Sequence, residues 1–105
     1  MVKVEITYEK NALTSLKVKG HADSGPYGKD LVCAAVTAIL IGGANALEDD
    51  ASGFEVTLEE GNASFVPTRP ISEHDSIVLE TVILQLKTIE VSPSTKGTLT
   101  IKERK

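Results

Sequence analysis

Apolar and polar residues alternate from the second position, with Val2, Val4, Ile6 and Tyr8 against Lys3, Glu5 and Thr7. A period of two predicts a strand with one buried face. Leu16 and Val18 against Lys17 and Lys19 repeat the pattern, and Glu9-Lys10-Asn11-Ala12 between them has turn chemistry. Residues 1–20 therefore read as a hairpin. Phe54, Val56 and Leu58 alternate with Glu55, Thr57 and Glu59, Gly61-Asn62 is a two-residue turn signal, and Ala63 to Val66 is the return strand. Thr98 to Lys102 predicts a last strand with Leu99 and Ile101 inward.

Two stretches lose the period of two. Leu31 to about Glu48 is apolar on nearly every face, and Asp30 before it is a natural N-cap, able to accept from the backbone N–H of Cys33. A helix of that kind needs cover on all sides, from the sheet and from something else such as a second subunit. Gly42-Gly43 inside it marks either a close helix approach or a kink. Pro67 and Pro70 end the second hairpin. Ser72 and Asp75 then resemble a capping box, with Asp in place of Glu, opening a helix from about Glu73 to Glu90. Its apolar face is Val78, Leu79, Val82, Ile83, Leu86 and Ile89. The order ββαββαβ predicts one α+β domain over residues 1–105, a mostly antiparallel sheet packed with two helices.

Composition narrows the function classes. At 105 residues the chain can build one modest core without staples. One cysteine and an N-terminus without a long apolar run fit a reducing, cytoplasmic setting. The one long apolar stretch, Leu31 to Leu47, falls short of the ~20 residues of a membrane span. Net charge is −4, the basic residues are scattered apart from Lys102, Arg104 and Lys105, and only four residues are aromatic. Read along the chain, this disfavours direct nucleic-acid binding.

The chemistry concentrates in one segment. His21 follows strand residues, Gly25, Pro26 and Gly28 fill a loop, and Cys33 stands at the third position of the expected helix. A thiol in a first helical turn faces unpaired N–H groups and the positive end of the dipole, which favour thiolate. His21 is a candidate base if loop geometry brings it to Cys33. Asp30 has two compatible readings, an N-cap and a group orienting His21. The other reading of Cys33 is a small buried hydrophobe. No phosphate-loop motif is complete, the spacing of His21, Asp30 and Cys33 matches no zinc site, and His74 reads as a surface residue. No cofactor or metal is expected.

Gly20-His21-Ala22 … Gly28-Lys29-Asp30-Leu31-Val32-Cys33-Ala34-Ala35-Val36 resembles the G-H-A … G-x-D-[IL]-V-C-A-A-V-S signature of the ribosomal-processing cysteine protease family Prp. The resemblance is strong over residues 18–47 and elsewhere rests on length and element order. It implies an α+β homodimer and a cysteine endopeptidase that removes a short N-terminal extension from a large-subunit ribosomal protein, after a pair of aromatic residues. By motif it makes Cys33 the nucleophile, His21 the general base and acid, and Asp30 a supporting residue. The loop from Ala22 to Lys29 would order over the peptide, with Gly20, Ala22, Gly25, Tyr27, Gly28 and Thr37 as its contacts. Thr37 departs from the family's serine four residues after the cysteine, keeping the hydroxyl and adding a methyl. The competing class is a non-enzymatic, ribosome-associated peptide-binding module with Cys33 as a packing residue. A redox function ranks last, because a second, resolving cysteine is missing.

Overall fold

A computed structural model of the chain describes residues 1–20, 31–48, 53–59 and 61–105, and the backbone of 27–30. The first hairpin is β1 (Val2–Glu9) and β2 (Ala12–Lys19). Lys10 and Asn11 between them have φ of 52° and 66°, so both central turn residues are left-handed. That geometry matches the twist of the flanking strands, and Asn tolerates it better than most residues. The register shifts once, between Thr7 and Tyr8, and the Thr14 hydroxyl donates to the Thr7 carbonyl (3.1 Å) beside the irregularity.

The second hairpin is β3 (Phe54–Glu59) and β4 (Asn62–Pro67). Asn62 pairs with Glu59 and with Lys19, so it opens β4, and the turn lies one residue earlier than Gly61-Asn62. Gly61, with φ of 74°, carries the left-handed backbone there. The last strand, β5 (Leu99–Arg104), runs parallel to β1, while the other pairings are antiparallel. The sheet order is β3-β4-β2-β1-β5. The α+β class, the element order and the mostly antiparallel sheet all follow the sequence expectation.

Register puts the alternating apolar residues on one face. Val4 pairs with Val18 and Ile101, and Leu16 pairs with Ile6 and Phe65. Ile6, Leu16 and Phe65 are completely buried. Helix α1 (Tyr27–Ala46) contributes Val32, Val36, Leu40 and, just past its end, Leu47 to this core. Helix α2 (Glu73–Val91) adds Leu79, Val82, Ile83 and Leu86. Of its expected apolar face, Val78 and Ile89 pack at the margin of the core.

The helices meet at Gly43. A Cβ placed there would stand 2.5 Å from a methyl of Val82, so only glycine allows this approach. Gly42 has open space where its Cβ would be, so the close approach needs one glycine of the pair.

The two helix ends are also tied. Ser72 caps α2, its hydroxyl accepting from the Asp75 N–H (3.1 Å). The fully buried Asp75 carboxylate accepts from the Glu48 N–H (2.9 Å), just beyond α1. His74 is exposed, as its sequence context suggested, and its Nε2 lies 2.9 Å from the Ala46 carbonyl.

One expectation fails in a way that matters for chemistry. Helix α1 starts at Tyr27 rather than Leu31. Asp30 is therefore inside the helix and is not its N-cap, and Cys33 is six residues past the start rather than in the first turn. Tyr27 follows Pro26 in the sequence, a residue suited to helix openings, and an acidic residue is as favourable within a first turn as at the cap. Leu31 at 71% exposure shows that the apolar helix is not fully covered by this chain.

Candidate active site

The end of β2 is built around Gly20. Its φ is 97°, and its N–H donates to the Gly61 carbonyl (3.1 Å). A side chain at Gly20 would push a Cβ to 2.5 Å from the Met1 carbonyl oxygen. Glycine is needed here twice, for the left-handed backbone and for the contact with the start of the chain. The start of β1, the end of β2 and the tip of the β3–β4 hairpin thus converge.

Helix α1 passes over this convergence and leaves a groove of about 430 Å³. Cys33 and Thr37, one helical turn apart, form its helix wall, and Gly20, Gly61 and Asn62 form the strand-end wall. Val2, Val18 and Ala63 supply an apolar floor, and Glu59 stands at the rim. Cys33 is half-buried and also packs against the core, so it has the exposure of a reachable thiol and one side in apolar contact. It is the one cysteine of the chain and it forms no disulfide.

The field of a helix end falls off within about one turn, and a residue six positions in has its own N–H within the helical ladder. Cys33 lies beyond the first helical turn in which the sequence placed it.

Of the residues singled out by sequence, Gly20, Cys33 and Thr37 are brought together on one groove. His21, Ala22 and Gly25, and the side chains of Tyr27, Gly28 and Asp30, lie outside the described residues. His74 is not part of this site: it sits against Ala46, thirteen residues along α1 from Cys33, or roughly 20 Å at 1.5 Å per residue. Its pKa is raised above the ordinary histidine value, chiefly by the hydrogen bond to the Ala46 carbonyl, with smaller help from Glu48 and Asp75 and against partial desolvation.

Sequence reasoning missed Glu59 and Asn62. Both looked like hairpin residues, and only the pairing of Asn62 with Lys19 carries them to the groove. No local signal in the sequence announces that pairing. Among the described residues, no helix is long and apolar enough to cross a membrane.

Comparison with known proteins supports a single class. A ribosomal processing cysteine protease Prp from Staphylococcus aureus is 32% identical over 94 residues, covering 86% of this chain and 89% of that protein. One from Bacillus subtilis is 36% identical over 92 residues, covering 80% of each. The crystal structure of the essential S. aureus protease with a covalently linked product peptide superposes with a TM-score of 0.82 at 27% identity, over 99% of this chain and all of that one. The same protease with a substrate peptide gives 0.83 at 26%, with the same coverage. The chain is thus a protease of the cysteine type. The sequence model described as Cysteine protease Prp matches residues 1–96, and the chain belongs to that family.

Proposed function

We propose that this chain is an endopeptidase that removes a short N-terminal extension from a large-subunit ribosomal protein, with Cys33 as nucleophile and His21 as general base and acid. The observation that carries the reading is the shared groove of Gly20 and Cys33. His21 follows Gly20 in the sequence, and consecutive Cα atoms are about 3.8 Å apart, so the base belongs to a residue bonded to the groove wall. The relatives are ribosomal processing cysteine proteases, one of them with peptides in its crystal structures.

The reaction proceeds by acyl transfer. His21 takes the thiol proton, and the Cys33 sulfur attacks the scissile carbonyl carbon. The tetrahedral intermediate collapses as the imidazolium gives its proton to the leaving amine, so the C–N bond breaks and a thioester remains. Water, deprotonated by the same imidazole, then hydrolyses the thioester and restores the thiol. Asp30 supports His21, and Gly20, Ala22, Gly25, Tyr27, Gly28 and Thr37 contact the peptide. The apolar floor of Val2, Val18 and Ala63 suits large apolar side chains beside the scissile bond. The chain acts in the cytoplasm as a homodimer. Ile41 on α1 and Ile77 and Leu84 on α2 are exposed apolar residues of the kind a second copy would cover.

The test is cleavage of a peptide carrying the start of the cognate ribosomal protein. Cys33→Ala and Cys33→Ser should lose all cleavage while keeping the wild-type fold, and full activity in Cys33→Ala would overturn the mechanism. His21→Ala should lower kcat by orders of magnitude, whereas a change confined to KM would reduce His21 to a binding residue.

A further inference from the structure

The sheet has a second face, turned away from the helices, and its chemistry is unlike that of the rest of the molecule. Strand parity puts Lys3 and Glu5 of β1, Lys17 and Lys19 of β2, and Lys102 and Arg104 of β5 on it, all exposed. Their order along the chain hides the grouping; register creates it. Lys3 stands directly opposite Lys19, and Glu5 stands between Lys17 and Lys102. Arg104 reaches Glu5 at 3.9 Å. Five of the chain's 11 Lys and Arg residues share this block with one of its 15 carboxylates, although the whole chain is at −4. The neighbouring acidic residues mark its limits, Glu9 at the hairpin tip and Glu55 and Glu59 on the far-edge strand β3.

Like charges directly opposite on a sheet oppose folding. The Lys3–Lys19 pair carries that cost, which a bound polyanion would remove. Beside the cations and Glu5, the same face of these three strands carries Thr7, Ser15 and Thr100. A protein partner needs apolar or aromatic anchors at the centre of its contact, and a membrane surface needs side chains to insert. This block offers neither. Lys, Arg, Ser and Thr are the side chains that contact phosphate and sugar. With no aromatic for stacking, such contact reads backbone shape and not base identity. Adjacent strands about 4.8 Å apart and same-face residues about 6.8 Å apart give a rigid, two-dimensional array of cations.

We propose that the open face of the sheet, centred on Lys3, Lys17, Lys19 and Lys102, docks on the phosphate backbone of double-helical RNA. The choice of RNA over DNA rests on the reading that the substrate is a ribosomal protein. Docking there leaves the Cys33 groove at the strand ends free, so the protease would act on a protein tail while its sheet rests on nearby RNA.

The experiment is fluorescence-anisotropy titration of a 20-base-pair duplex RNA against the full chain over a range of salt. Engagement of about four phosphates should give a log–log salt slope of roughly −4. Lys3→Gln/Lys17→Gln/Lys102→Gln should weaken binding more than tenfold and flatten the slope to about −1. Lys10→Gln/Lys96→Gln, cations elsewhere on the surface, should leave binding unchanged. Glu5→Gln, which removes the one carboxylate of the block, should tighten binding, and this keeps the test alive should the triple variant misfold. Equal binding by wild type and triple variant would overturn the proposal. So would equal affinity for duplex DNA, or for poly-glutamate. Peptide cleavage by the same variants should be unchanged, so a wild-type chain that cleaves peptide but does not bind the duplex sinks only this inference, and cleavage by Cys33→Ala sinks only the catalytic reading.

Discussion

Gly42 and Gly43 are adjacent in sequence and opposite in consequence. Gly43→Ala drives a methyl into Val82 and should destabilise the fold, by ~1–3 kcal/mol for an overpacked core site. Gly42→Ala meets open space and removes a helix-weakening glycine, so stability should rise by up to ~1 kcal/mol. Urea unfolding of the two variants checks both signs. His74 provides a pH signature. Its folded-state pKa is raised, chiefly by the Ala46 carbonyl, so its contribution is fully present below the ordinary histidine value of 6.5. That contribution fades as pH rises through the folded-state value. The Tm difference between wild type and His74→Gln should therefore be largest in mild acid and shrink towards alkaline pH; a difference that grows with pH would contradict this. At this scale the family motif could be read directly, because its residue types and spacing are local. Which of two neighbouring glycines carries a contact could not, because both have the same local sequence context and only α2 distinguishes them.

At the scale of elements, hairpins were legible because period two and turn chemistry are local signals. Lys10-Asn11 and Gly61 fall at the turns for the backbone reason that Asn and Gly tolerate positive φ. The start of α1 was misplaced because Asp30 satisfies the rules for a cap and for a first turn equally well. The parallel pairing of β5 with β1 had no local signal, since it depends on where α2 delivers the chain. Asp75 shows how two elements can share one residue. It belongs to the first turn of α2 and receives a hydrogen bond from Glu48 beyond α1. Asp75→Ala leaves that N–H without its carboxylate, at a cost of about 1–3 kcal/mol. Ser72→Ala removes only the cap, about 1 kcal/mol. Chemical denaturation should rank the two variants in that order.

Over the whole molecule, the exposed apolar residues of α2 lie on the helix layer and the cation block on the opposite face of the sheet. The proposed dimer uses the helix layer, where Leu31 and Leu84 are 71% and 64% exposed. Ile77→Glu together with Leu84→Glu should shift sedimentation from a dimer to a monomer mass with the circular dichroism spectrum preserved; a wild-type protein that sediments as a monomer at all concentrations would refute the arrangement. The helix layer was foreseen as needing cover because α1 is apolar on so many sides. The cationic sheet face was not foreseen, because charge grouping across strands is a property of register and not of order along the chain.

The bond from the Gly20 amide to the Gly61 carbonyl ties one wall of the groove to a hairpin tip 41 residues later in the chain. The tip can vary in length and composition without altering Cys33 on the helix wall, yet it sets the shape of the opposite lip of the groove. Transplanting residues 59–62 from a relative should transfer that relative's choice of flanking residues, leaving the bond-breaking rate on a minimal peptide as it was.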